Sequence, residues 1–116
     1  HLKNILLTLL AVLAFTGCKE DPQRHLQLAQ WYSQKGLIDE AILEYREVTR
    51  LLPADIKSLS RADYELLADA HYRLALMYTK KDWWGYALQE AETCFELLPT
   101  REHYDMVTLL RKRIDL

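Results

Sequence analysis

The feature that most constrains this chain is a helix–turn–helix that occurs twice in one register. Between Leu28 and Pro53 two apolar stripes follow each other: Leu28, Ala29 and Tyr32, then Ala41, Tyr45 and Val48. Each set has the spacing that puts its members on one face of an α-helix. Lys35-Gly36 separates them. Glycine suits a reversal of the chain, and Pro53 stands where the second helix must stop. The pattern returns 46 residues later as Leu74, Ala75, Tyr78, Ala87 and Pro99. His25 and His71 keep the same offset, as do the leucine pairs Leu51-Leu52 and Leu97-Leu98. A helix pair with small residues at its contact points is built to pack on a neighbour. Here the neighbour is a second copy of itself.

These residues resemble the tetratricopeptide repeat family, whose helix pairs carry Leu-Gly/Ala-x-x-Tyr, a turn glycine, then Ala, an aromatic, Ala and Pro. Leu28, Ala29, Tyr32, Gly36, Ala41, Tyr45 and Pro53 carry the likeness in the first copy. The second departs at three places: Asp82 replaces the turn glycine, Ala91 the aromatic, and Cys94 takes a small-residue position. The resemblance implies an all-α fold, a short tetratricopeptide-like α-solenoid of two helix pairs (about 22–55 and 68–101) plus a C-terminal capping helix. Repeats of this family recur every ~34 residues. The offset of 46 therefore leaves 12 extra residues, placed around Ala54–Ser60 and in a lengthened third helix.

Read in order, the first helix spans about Gln23–Lys35 and the second about Ile38–Leu52. Pro22 suits a first helical turn and Asp21 its N-cap. Ser60 and Asp63 form a capping-box-like start for a third helix over about 61–80. Asp82 is the expected N-cap of a fourth, Trp83–Leu98, and Thr100 that of a fifth, about Arg101–Arg113. Two repeats are fewer than the three a free-standing solenoid usually needs. The lengthened helix and the fifth are expected to supply the missing cover.

Residues 1–17 read as a signal peptide. Lys3 is followed by a mostly apolar run, Ile5–Phe15, of 11 residues. At ~1.5 Å per residue this covers about half of a ~30 Å hydrocarbon core. Small residues and Cys18 then follow, as in a secretory leader. Phe15-Thr16-Gly17-Cys18 resembles the bacterial lipobox, which implies cleavage before Cys18 and its lipidation. Residues 18–22 are then a short linker, and 23–116 the helical domain. Lys19, where an aspartate would signal inner-membrane retention, favours the outer membrane facing the periplasm. The chain starts at His1 rather than at methionine, so its ends are not taken as the ends of the protein.

The chemistry-bearing residues are sparse. Ser33, Ser58 and Ser60 lack a glycine-elbow context, and no glycine-rich phosphate loop exists. No catalytic set emerges, so the chain does not read as an enzyme. His25, His71 and His103 each precede a Leu or Met by three residues and are expected to pack at helix-pair interfaces. No His/Cys pair has metal-ligand spacing, so neither metal nor cofactor is expected. Asp39, Glu40, Glu44 and Glu47 read as a solvated face of the second helix, with Arg46 and Arg50 beside them. Cys94 reads as a small buried residue. A net charge of −2 gives no support for nucleic-acid binding.

By the resemblance, partners lie in a groove lined by the first helix of each pair. That groove would take Leu26, Gln27, Gln30, Ser33 and Gln34 from the first helix. From the third it would take Asp69, Tyr72, Arg73, Leu76 and Lys80. Leu26 and Gln30 stand where chaperone-binding relatives carry Lys and Asn, so that clamp is absent. Trp83 and Trp84 are a separate hot-spot candidate, since Trp is enriched at interaction hot spots. The expected partners are a protein or peptide, a membrane through the lipid anchor, and in some settings a second copy of the chain. The leading expectation is an envelope scaffold. The alternative is the docking subunit of an envelope enzyme or secretion complex.

Overall fold

The computed structural model describes residues 20–52 and 55–116. Residues 1–19, with the leader and Cys18, and Pro53 and Ala54 lie outside the described residues. Among the described residues five α-helices follow one another: α1 (Pro22–Gln34), α2 (Ile38–Leu51), α3 (Arg61–Lys80), α4 (Trp84–Leu97) and α5 (Arg101–Asp115). A 3-10 turn, Ile56–Ser58, precedes α3. Each helix packs chiefly on the next, while α1 and α3 barely touch. The fold is an all-α, short solenoid of two helix pairs with a fifth helix on its end. Among the described residues, no helix is long and apolar enough to cross a membrane.

The helix starts follow from side-chain caps. Asp21 accepts the Gln23 amide (3.0 Å), Ser60 that of Asp63 (3.1 Å) and Thr100 that of His103 (3.2 Å). Each satisfies one of the orphan donors in a first turn. α2 and α4 begin without a side-chain cap. Asp82 is therefore not the cap of α4, contrary to expectation; Trp83 occupies that position.

Asp82 instead closes the helix before it. After α1, the Gly36 amide donates to the Ser33 carbonyl (3.1 Å) and the Leu37 amide to that of Tyr32 (2.9 Å). After α3, Asp82 bonds Thr79 and Trp83 bonds Tyr78, both at 3.0 Å. These are the paired bonds of a Schellman ending, which needs one left-handed residue. Gly36 supplies it with φ 77°, and Asp82 supplies it with φ 59°. Aspartate tolerates this region better than most residues, yet at a cost glycine escapes.

The core runs the length of the stack. Ala29, Ala41, Ala75 and Ala87 are all fully buried, so the paired helices approach closely. Tyr45, Leu74, Val48 and Cys94 are the largest fully buried side chains. Most of the extra residues go into α3, which has 20 residues against 13 in α1. Its added turns bury Leu67, and the Tyr64 hydroxyl donates to the Leu97 carbonyl at the end of α4. Val107 and Leu110 of α5 complete the core beyond α4.

Asp82→Gly is expected to stabilise the chain by roughly 0.5–1 kcal/mol, read as a rise of a few degrees in Tm. Gly36→Ala should lower Tm. A lower Tm for Asp82→Gly would show that the aspartate side chain outweighs its backbone strain.

Candidate functional site

The expected groove is only partly assembled. Leu26 is 6% exposed and belongs to the core, since α1 turns Leu26 and Ala29 inward. It cannot line a groove. Gln27 and Gln34 are exposed, and Gln30 and Ser33 half-buried. On α3, Asp69, Tyr72, Arg73 and Leu76 are half-buried and Lys80 is exposed. Several of these already have partners inside the fold. Arg73 bonds Asp69 at 2.9 Å, and Leu76 packs against the core. Tyr45 of α2 interacts with the same Arg73; burial raises the Tyr45 pKa while Arg73 opposes the rise. Tyr72 donates to Glu102 of α5 at 2.9 Å; burial and then this bond raise its pKa. Asp69 and Tyr72 also line a small depression of about 250 Å³ with Glu102 and His103.

A larger cleft, about 980 Å³, is lined by Arg46, Tyr78, Trp83, Trp84, Gly85, Tyr86, Gln89 and Glu90. It contains both tryptophans singled out in the sequence and none of the groove residues. Trp83 is 46% exposed, whereas Trp84 is half-buried under the Arg113 guanidinium, 4.9 Å from its ring centre. Sequence reasoning missed Tyr86 and Arg46 here. Tyr86 was within reach of it, lying three residues past Trp83 on the same helix face. Arg46 was not, because it comes from the other helix pair.

A second missed feature is repeated. His25 Nδ1 lies 2.5 Å from Glu44 Oε2, and His71 Nδ1 lies 2.5 Å from Glu90 Oε2. Each pair joins the two helices of one repeat, and all four side chains are largely shielded. The histidines do sit at the helix-pair interfaces. Glu44, however, does not belong to a solvated face as expected. Glu44 and Glu90 stand 46 residues apart, like the histidines, and that shared offset was the available signal. His103 differs, with its Nδ1 2.7 Å from the Leu98 carbonyl.

Glu20, His25 and Glu47 bring ligand-type atoms within 4.8 Å of one another. The Arg50 guanidinium already lies on both carboxylates, 2.9 Å from Glu20 and 2.7 Å from Glu47. It lowers the Glu47 pKa chiefly through that bond. The positive charge such a cluster calls for is thus supplied by the chain, and the arrangement is an ion-pair network. Asp39 pairs with Lys81 of the next turn at 2.9 Å. Two of the serines serve the backbone: Ser58 donates to the Asp55 carbonyl and Ser60 caps α3. Cys94 is fully buried, and that burial pushes its thiol up to about 12. A thiol so placed is a packing group rather than a nucleophile.

With this geometry in hand, comparison with known proteins adds nothing to the assignment: no family model matches the chain, and no curated protein does.

Two outcomes follow. Removing either partner of the His71–Glu90 pair should cost about 1–2 kcal/mol. Chemical denaturation of the single and double variants should show their coupling, and strict additivity would mean that the pair contributes nothing. Separately, in a Cys18→Ser chain, alkylation of Cys94 at pH 8 should be slow and should track unfolding. Because burial pushes the folded thiol from 9.0 up to about 12, its contribution to stability is whole below pH 9. That contribution erodes as the pH rises toward 12.

Proposed function

We propose that this chain is a tetratricopeptide-type binding module, held at the bacterial envelope by a lipid on Cys18, that gathers a protein partner into an envelope assembly. The observation that carries this reading is the repetition itself. Two helix pairs share their turn bonds, their buried alanines and their His–Glu ties. A scaffold so repeated holds side chains at fixed spacing along one face, which suits a peptide or helix laid across it.

The partner face is formed by Gln27, Gln30, Ser33 and Gln34 of α1 with Asp69, Tyr72, Arg73 and Lys80 of α3. Glutamine side chains offer both donors and acceptors, as a peptide backbone requires. The ion pair of Arg73 with Asp69 and the bond of Tyr72 to Glu102 hold the α3 side chains in place before a partner arrives. Pre-organisation of this kind lowers the ordering cost of binding. The lipid reading rests on Gly17-Cys18 after an apolar run, and two or more acyl chains would suffice for stable anchoring.

Metabolic labelling with a fatty acid is expected to mark the protein and to fail in Cys18→Ala; equal labelling of both would overturn the anchor. A photo-crosslinker at Gln27 or Lys80 should capture one partner that a crosslinker at Leu43, exposed on α2, does not. Capture from Leu43 alone would overturn the assignment of the face.

A further inference from the structure

The turns after α1 and after α3 share a backbone but not their side chains. Where the first carries Leu37 and Glu40, the second carries Trp83 and Tyr86. Both aromatics are exposed, at 46% and 63%. With Tyr78 they form a closed set of rings, with centroids 6.0 Å (Tyr78–Trp83), 5.7 Å (Tyr78–Tyr86) and 6.2 Å (Trp83–Tyr86) apart. Trp83 stacks on Tyr78 at 29°, and Tyr86 stands edge-on to Trp83 at 61°. The two exposed rings therefore make a corner rather than a flat patch, and the corner forms part of the wall of the 980 Å³ cleft.

The charges around this corner are unevenly committed. Glu90 is held by His71. Lys81 lies over the Trp83 ring at 5.2 Å and pairs with Asp39. Arg46, exposed in the cleft lining, forms no ion pair among the described residues. Its positive charge is felt at Tyr78, where it works against the burial that raises the hydroxyl pKa. The cleft thus offers aromatic faces and one guanidinium without a counter-charge.

We propose that this cleft binds an extended, proline-containing acidic segment of a partner protein. A proline ring seats in the Trp83–Tyr86 corner and a carboxylate reaches Arg46. Proline packs on aromatic faces and is already ordered in the extended form, so little entropy is lost on docking. A carboxylate matches the guanidinium fork in geometry and charge. Within the lining the uncommitted charge is positive, so a basic segment is disfavoured. The inference rests on the reading of the chain as a protein-binding module, and it adds a site that uses none of the α1 positions.

The test is a tryptophan-fluorescence titration of the full chain with short blocked peptides of repeated Pro-Pro-Glu, Pro-Pro-Gln and Pro-Pro-Lys. Pro-Pro-Glu should bind best and Pro-Pro-Lys about tenfold or more weaker. Arg46→Gln should weaken Pro-Pro-Glu about tenfold and leave Pro-Pro-Gln unchanged. Trp83→Ala and Tyr86→Ala should abolish binding of both, while Trp83→Phe retains it. Arg46 is exposed, so its arm stands even where an aromatic variant loses its fold. Failure of the wild type to bind Pro-Pro-Glu, or undiminished binding by Trp83→Ala, overturns the proposal. So does dimerisation, or retention on anionic phospholipid vesicles, that is lost in Trp83→Ala; either assigns the cleft to another occupant. A partner captured from Gln27 or Lys80 without peptide binding at the cleft would sink this inference and leave the α1–α3 face standing.

Discussion

Everything in this fold depends on how closely the helices of a pair approach. Ala29 and Ala41 in the first pair, and Ala75 and Ala87 in the second, are fully enclosed. A larger side chain at any of them would have to be accommodated by moving a helix, and overpacking costs ~1–3 kcal/mol. The close approach has consequences elsewhere. It lets a three-residue turn join the helices, which demands the left-handed residue at Gly36 and Asp82. It also brings an imidazole on one helix within hydrogen-bond distance of a carboxylate on the other. Packing, turn and polar tie are thus one constraint seen three times, and all three recur at the same offset of 46 residues.

Where the two repeats differ, the differences fall into two kinds. Some repair the stack. Tyr45 spans from α2 to Arg73 on α3, and its counterpart Ala91 has no such duty. Phe95, in the place of Thr49, meets Tyr104 of α5 at a centroid distance of 5.9 Å. The lengthened α3 covers the end of α4 through Tyr64. Others leave apolar surface exposed. Trp83 and Tyr86 leave ring surface in water, at ~25 cal/mol per Å² of apolar area that stays unburied. That asymmetry, rather than the presence of tryptophan as such, separates a binding feature from a packing one.

The sequence was most legible where a local rule acts. Caps at Asp21, Ser60 and Thr100, the bounds of α3, and the pairing of helices all followed from period, capping chemistry and repetition. It was least legible where a contact joins distant residues. Glu44 looked like a surface carboxylate because its partner lies 19 residues away on the facing helix. Arg46 and Tyr86 line one cleft only because two repeats stack. Leu26 was placed on the groove by a family template, whereas its own helix shows it buried with Ala29. Asp82 was read as a cap because aspartate commonly caps. Its positive φ shows that the homologous position of Gly36 was the better guide.

The stack also has two unlike edges, and the proposed anchor gives them meaning. At one edge Glu20 meets Arg50, so the chain enters beside the end of α2. At the other edge Asp39 meets Lys81, which places both helix-pair turns together. Cys18 stands three residues before Asp21, a reach of no more than about 11 Å even when extended. A lipid on Cys18 would therefore hold the entry edge near the membrane. The aromatic turn lies at the far end of α3, a helix of 20 residues, or ~30 Å at 1.5 Å per residue. With the stack upright, Trp83 and Tyr86 would face away from the bilayer and be presented to a partner. With the stack lying flat, the same aromatics would meet lipid headgroups. The short reach from Cys18 to the cap of α1 favours the upright one, because it ties down one edge and leaves the other free.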